Sequence, residues 1–360
     1  KTEKQIQDPP KFLEVTEERV QKVLEKLNPH KAPGPDNLPN WIFKEYSYLL
    51  ALPVMKIINA SYYEQQLPTI WKKANISPLP KKKPVTILEK DLRPISLTPC
   101  ISKVAEEFIV EDYVKPAILD IIDASQYGAI PNSSTTMALI SMLHHWFINT
   151  DGNGATIRTI LFDYRKAFDF IDHTILVKKL GNLNIPRSII NWIIDFLSHR
   201  TQRVKLADSC FSEWGLVPSG VPQGTKLGPW LFILMIQDLN INSPYMWKFV
   251  DDTTASEILP KGNVSTAQNI ADYIKQWSEE NRLKLHPDKC KELRISFSKD
   301  PVVLDQVILN GKEVEIVESA KLLGVTISNN LTWHAHIKEV VKKASKRLYY
   351  LVQLKRARLP

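Results

Sequence analysis

From Thr16 onward the residues Val20, Val23, Leu24 and Leu27 recur at i, i+3, i+4 and i+7, the spacing of one helical face, and Pro29 ends the run. The segment Lys31-Ala-Pro-Gly-Pro-Asp36 then reads as a rigid loop. Apolar patterning predicts further helices over 133–147, 186–196 and 267–281. Short β-prone runs appear over 92–97, 159–162, 292–297 and 322–327, and two more, 247–250 and 253–256, flank Asp251-Asp252 as strands around a tight turn. Ser219-Gly-Val-Pro-Gln-Gly224 is a loop by its glycines and proline, and Gly228-Pro229 opens a helix that is apolar all round and therefore buried. Strands interspersed with helices, without a regular βαβ rhythm, predict an α+β fold in which helices cover one face of a mainly antiparallel sheet. The length, 360 residues, predicts two or three subdomains.

Composition narrows the class. With 44% hydrophobic and 24% charged residues, collagen-like, disordered and coiled-coil chains are excluded. The densest apolar stretch, Trp230 to Ile236, is far shorter than the ~20 residues a membrane span needs, and the polar start Lys1 to Asp8 has no secretory pattern. Cys100, Cys210 and Cys290 lack CxxC spacing, which favours a reducing compartment and argues against a zinc knuckle; His334 and His336 are too few for zinc, and His144-His145 reads as structural. Lysine plus arginine exceeds aspartate plus glutamate by 47 − 39 = 8, a balance that favours a polyanionic partner. The positive charge gathers at Lys81-Lys82-Lys83 and from Lys338 to Arg358.

Against that basic background, Asp163, Asp251 and Asp252 stand at the ends or turns of apolar strands. Brought together, three carboxylates repel, and burying an unpaired one costs several kcal/mol. Magnesium, a hard cation with oxygen ligands, would relieve this, and two such ions about 3.5–4 Å apart serve in-line phosphoryl transfer. The alternative is an exposed Asp251-Asp252 turn and a helix-capping Asp163.

Asp163-Tyr-Arg-Lys-Ala-Phe-Asp169, Ser219-Gly-Val-Pro-Gln-Gly224 with Leu227-Gly-Pro229, and Phe249-Val-Asp-Asp252 together resemble the reverse transcriptases of non-LTR retrotransposons, the long interspersed elements. Lys31 to Asp36, Trp71-Lys72 through Lys81, Leu92 to Leu97, Gln126-Tyr-Gly128 with Ser133-Ser-Thr135, Asn281 to Lys289, and Leu323-Gly-Val325 with Leu331-Thr-Trp333 match in the same order, so the resemblance covers roughly residues 24–337. Val250, Asn37 and Tyr164-Arg165 depart from the commonest residues at their positions, and none of these departures removes an acid.

The resemblance implies a right-hand polymerase fold: an extension over 1–60, fingers over 61–158, palm over 159–328 and the start of a thumb over 329–360. It implies DNA synthesis on an RNA template from a DNA primer with deoxynucleotides and two Mg2+ ions, an RNA–DNA hybrid as product, and no membrane. It leaves the oligomeric state open and implies a ribonucleoprotein of nucleus and cytoplasm. Asp163, Asp251 and Asp252 would bind metal, with Asp252 ranked below Asp251 because neighbouring strand residues point to opposite faces outside a turn. Lys289 would protonate pyrophosphate, with Lys291 as rival. Phe168 would sit under the nucleotide sugar, Gln223 near the templating pair, and Lys81 and Arg93 on the triphosphate. The basic helix after Trp333, with its apolar stripe Ile337, Val341, Ala344 and Leu348, would pack on the palm and track the duplex. The family's complete proteins carry an endonuclease, and this chain resembles their polymerase part. A catalytically inactive nucleic-acid-binding relic is the competing expectation; a viral RNA polymerase fits Phe168 poorly, and an intron maturase fits the Gln223 loop less well.

Overall fold

Thr16 caps the first helix, its Oγ1 accepting from the Arg19 amide at 3.4 Å, so the predicted apolar face of Val20 and Leu24 is buried as the helix begins. The computed structural model describes residues 14–152, 154–241, 243, 245–298 and 303–358; the polar start Lys1 to Asp8 lies outside these. The helices are α1 (Glu17–Glu25), α2 (Asn40–Glu45), α3 (Ser47–Glu64), α4 (Leu88–Asp91), α5 (Cys100–Ile109), α6 (Lys115–Leu119), α7 (Thr135–Thr150), α8 (His173–Gly181), α9 (Arg187–Leu197), α10 (Leu227–Ile236), α11 (Ala267–Glu280) and α12 (His334–Arg356). The strands are β1 (Lys73–Pro80), β2 (Leu92–Leu97), β3 (Thr156–Phe162), β4 (Arg200–Ala207), β5 (Cys210–Phe211), β6 (Gly215–Val217), β7 (Met246–Phe249), β8 (Asp252–Leu259), β9 (Lys291–Ile295), β10 (Ile308–Leu309), β11 (Lys312–Glu313), β12 (Glu315–Val317), β13 (Ser319–Leu322) and β14 (Val325–Ser328).

The described residues form two compact units. One comprises 14–123, 166–238 and 281–283, the other 124–165, 239–280 and 284–358. In the first, β2-β1-β4-β5 form a sheet with β6 also on β4, and β1 pairs parallel to β4. The all-apolar α10 is buried from Leu231 to Ile236, as its patterning predicts.

In the second unit the sheet order is β12-β9-β3-β8-β7, antiparallel except for the β12–β9 pair. Both faces are covered, where the sequence pattern predicted helices on one. Helix α7 packs on the face of Ile157 and Ser256: Trp146 Nε1 donates to Ser256 Oγ at 3.1 Å and Trp247 Nε1 to Ser141 Oγ at 2.9 Å. On the opposite face Thr266 Oγ1 donates to Glu257 at 2.8 Å where α11 begins, and Arg158 donates to Glu292 at 2.7 Å. Double coverage explains why β3 reads as one nearly unbroken buried run.

Two other expectations change. The run 322–327 is a hairpin, β13 and β14, turned at Leu323 (φ 46°) and Gly324 (φ 94°); consecutive positive φ values are what a two-residue hairpin turn needs. Helix α12 forms, yet none of its described residues is buried, so the apolar stripe of Ile337, Val341 and Leu348 is exposed where packing was expected. Cys100 and Cys290 are buried and Cys210 exposed, all free. His336 Nδ1 accepts from the Thr326 amide at 3.3 Å, and His145 lies edge-on to Tyr245, both structural contacts. Among the described residues, no helix is long and apolar enough to cross a membrane.

Candidate active site

Strand β3 ends at Phe162, opposite Thr253 of β8, and one step further the same register sets Asp163 across from Asp252. Asp252 pairs with Phe249 across the β7–β8 hairpin, so Val250 and Asp251 form its two-residue turn. Asp251 thus sits in the turn itself, whereas Asp252 is the first residue of β8. Val250 holds φ at 59°, a conformation that costs a β-branched residue about 1–3 kcal/mol.

The strain is held in place from outside the hairpin. The Tyr127 amide donates to Lys248 O and the Lys248 amide to Ser125 O, both at 2.8 Å, so 125–127 runs along β7 as an extra edge. Gly128 then lies so close that a Cβ there would stand 2.3 Å from Val250 N. Lys248 is itself fully buried, donating through Nζ to Leu239 O at 2.7 Å.

The acids feel one another. Burial first, then the charges of Asp251 and Asp163, push the Asp252 carboxyl up to about 6. Lys289 Nζ lies 3.2 Å from Asp163 Oδ1, whereas its rival Lys291 is 3.5 Å from Glu315. The His286 amide donates to Asp163 O at 2.8 Å, fixing the Lys289 segment beside β3; burial and the cations Lys289 and Arg165 hold the His286 ring below its usual range. Among the described residues no group of three or more histidine, cysteine or acidic side chains closes around a metal position. The donor chemistry of Asp252, which feels the charges of Asp251 and Asp163, is that of a hard divalent cation's oxygen ligands.

An acid with a higher pKa folded than unfolded carries an extra proton in the folded state, so its contribution to stability falls as pH rises from about 4 to about 6. In EDTA, Asp252→Asn should therefore melt above the parent at pH 7 and equal to it at pH 4. Equal melting at both pH values would show that the Asp252 carboxyl is not raised in the folded state.

The other predicted residues lie in the first unit. Phe168 stacks on Phe232 of α10 with centroids 4.5 Å apart and planes at 18°. Its carbonyl accepts from the Val221 amide at 2.8 Å, and the Gly220 amide donates to Ile171 O at 2.9 Å. Gly220 (φ 82°) is required there, since a Cβ would stand 2.6 Å from Asp169 O. The Gln223 loop is thus tied to the Phe168 segment. Gln223 O accepts from the Ser96 amide at 2.8 Å, and its Nε2 lies 3.5 Å from Asp169 Oδ1 at the limit of a hydrogen bond.

Asp169 went unassigned in the sequence, though it stands inside the matched Asp163–Asp169 block; burial raises its carboxyl, while the charges of Lys166 and Lys81 oppose the rise. It lines a cleft with Ala74, Ile76, Arg200 and Gln202, beneath the Gln223 loop. Lys81 and Arg93 are exposed, while Lys82 is paired with Asp91 at 3.1 Å.

A family model described as reverse transcriptase (RNA-dependent DNA polymerase) matches residues 79–327. The chain belongs to the reverse transcriptase family. The right-hand polymerase fold is that family's fold. A second model, the N-terminal region of alkylated DNA repair protein alkB homolog 8, matches only residues 333–360. The RNA-directed DNA polymerase from mobile element jockey of Drosophila melanogaster is 26% identical over 345 residues, 91% of this chain and 36% of that protein. The probable RNA-directed DNA polymerase from transposon BS of the same fly is 27% identical over 352 residues, 93% of this chain and 38% of that protein. Among solved structures, apo telomerase from Candida tropicalis, truncated from its C-terminal domain, gives a TM-score of 0.46 at 13% identity over 82% of this chain and 60% of that one. The chain thus spans just over a third of the length of these two relatives.

Proposed function

We propose that this chain is an RNA-directed DNA polymerase of a LINE-type element, extending a DNA primer on an RNA template with deoxynucleoside triphosphates, in the setting of target-primed retrotransposition. The observation that carries this is the family match over 79–327, which encloses Asp163, Asp251 and Asp252, Asp163 following the end of β3 and Asp252 opening the adjoining β8. The assignment of 61–158 to fingers, 159–328 to palm and the residues from 329 to a thumb is part of the same proposal, as is a ribonucleoprotein setting in nucleus and cytoplasm.

Asp163, Asp251 and Asp252 would hold two magnesium ions, which when bound supply Lewis acidity to the primer hydroxyl and the departing pyrophosphate. Lys289, 3.2 Å from Asp163, would give a proton to that leaving group. In the other unit, Lys81 and Arg93 would receive the triphosphate, arginine as a fork of donors and lysine as a point charge. Gln223 would contact the incoming nucleotide. Phe168 would stand against the sugar and exclude a 2′-OH, its ring kept from turning by Phe232.

Primer extension by the purified chain, with magnesium and deoxynucleotides on an RNA template, tests the activity. Template–primer binding without extension would favour a catalytically inactive relic. Phe168→Ala should raise ribonucleotide incorporation relative to deoxynucleotide by roughly tenfold or more, and Phe232→Ala by a smaller factor, because a hydroxyl-sized clash is worth ~1–3 kcal/mol. Unchanged discrimination in both variants would remove Phe168 as the gate.

A further inference from the structure

Helix α10 starts directly after the Gln223 loop, and its first residues need partners for their amides. Its N-cap residue, Lys226, provides no side-chain cap. Two groups take over. Thr225 Oγ1 accepts from the Gly228 amide at 3.2 Å and donates to Pro222 O at 2.9 Å, within the loop. The other group is Glu106, from the middle of α5: its Oε2 accepts from the Lys226 amide at 2.8 Å and the Leu227 amide at 3.2 Å. Pro229 has no amide to satisfy, so the free donors at this helix start are accounted for.

Glu106 is fully buried, an expensive place for a carboxylate. Its other oxygen, Oε1, accepts from Ser102 Oγ at 3.1 Å on the same helix. Burial raises its carboxyl, and the Leu227 and Lys226 amides together with the charge of Arg200 oppose that rise. Arg200 is itself buried, stacked over Phe196 at 4.7 Å and donating to Phe196 O at 2.9 Å. No step of the proposed chemistry uses Glu106. Its contacts converge instead three to four residues beyond Gln223, while the near side of the loop is tied by Ser219 to Asp169 O at 3.1 Å and by Ser96 to Gln223 O at 2.8 Å.

We infer that Glu106 is a positioning residue for nucleotide selection: by capping α10 from α5 it anchors the C-terminal side of the Gln223 loop and so fixes the height of the Gln223 side chain in its cleft. This rests on the polymerase function proposed above. A buried cap in this role acts on binding of the incoming nucleotide rather than on the bond-making step, and its effect passes through Gln223. The amide oxygen of glutamine can replace Oε2 as acceptor, with its NH2 donating to Ser102 Oγ, so the conservative variant should serve.

The test is single-nucleotide extension by the full chain in four versions: parent, Glu106→Ala, Gln223→Ala and the double variant. Glu106→Ala should raise KM for the deoxynucleotide by roughly fivefold to tenfold with kcat within about twofold, the range expected for losing a cap. In the Gln223→Ala background the same change should add less than about twofold, since residues acting as a unit are not additive. Glu106→Gln should restore the parent KM. If Glu106→Ala does not fold, Glu106→Asp, which draws the carboxylate back by one methylene, is measured in the same cycle.

A KM increase that persists undiminished without the Gln223 side chain, or no increase in a parent that extends primers, overturns the inference and leaves the polymerase function standing. A parent that extends no primer under any of these conditions overturns both.

Discussion

Asp163→Asn should abolish magnesium-dependent primer extension, by about 10^3-fold or more, while leaving the melting temperature equal to or above that of the parent. On the proposed function the size follows from removing what would be a metal-ligand charge, where several kcal/mol of transition-state stabilisation would be concentrated, at about 1.36 kcal/mol per factor of ten. The stability sign follows from the register: Asp163 stands opposite Asp252, and its charge is one of the causes that raise the Asp252 carboxyl. Taking one negative charge away relieves that repulsion, set against loss of the Lys289 ion pair at a site open to solvent, where such a pair contributes little. Extension assays and thermal melts on the same preparation separate the two effects. A variant that loses activity only because it unfolds would refute this account of Asp163.

Gly128→Ala should be nearly as damaging, although Gly128 carries no chemistry. The added Cβ would meet Val250 N at 2.3 Å, the Phe249 carbonyl carbon at 2.7 Å and Val250 Cγ2 at 2.8 Å. Two of these are backbone atoms of the turn that presents Asp251, and Val250 already holds a positive φ. The hairpin must therefore shift. A displacement of about 1 Å at reacting groups costs on the order of 10^2-fold in rate, and overpacking of this kind costs about 1–3 kcal/mol in stability. Activity should thus fall much further than the melt indicates, and adding Val250→Gly, which removes the Cγ2 contact and leaves both backbone clashes, should recover little of it. Full activity in Gly128→Ala alone would show that the edge segment 125–128 does not hold the turn.

Why the sequence pointed to some of this and not the rest is visible in particular residues. Strand β3 and the helices α1, α7, α9, α10 and α11 are legible because each carries its own signal: a β-prone run, an apolar face, or a uniformly apolar stretch. The acids are legible as charges at the ends of those apolar strands, and their order along the chain carries the family resemblance. The β13–β14 hairpin was not legible as two strands because Leu322 to Ile327 is apolar enough to pass for one; the single glycine at its centre, with a leucine at positive φ beside it, is the turn. The exposure of α12 is not legible because periodicity reports which residues share a stripe, not whether anything lies against it.

The sequence by itself determined the chemical inventory, namely where the acids stand along the chain and an excess of positive charge, together with an α+β chain of the reverse transcriptase family. Those are local or ordered properties, readable residue by residue. Only the tertiary structure decided that Asp252 stands across from Asp163, that Lys289 rather than Lys291 reaches that acid, that Phe232 backs Phe168, and that Glu106 caps a helix 120 residues away. Each depends on strand register or on contacts between segments distant along the chain, and a register shift of one residue would turn every such side chain to the opposite face.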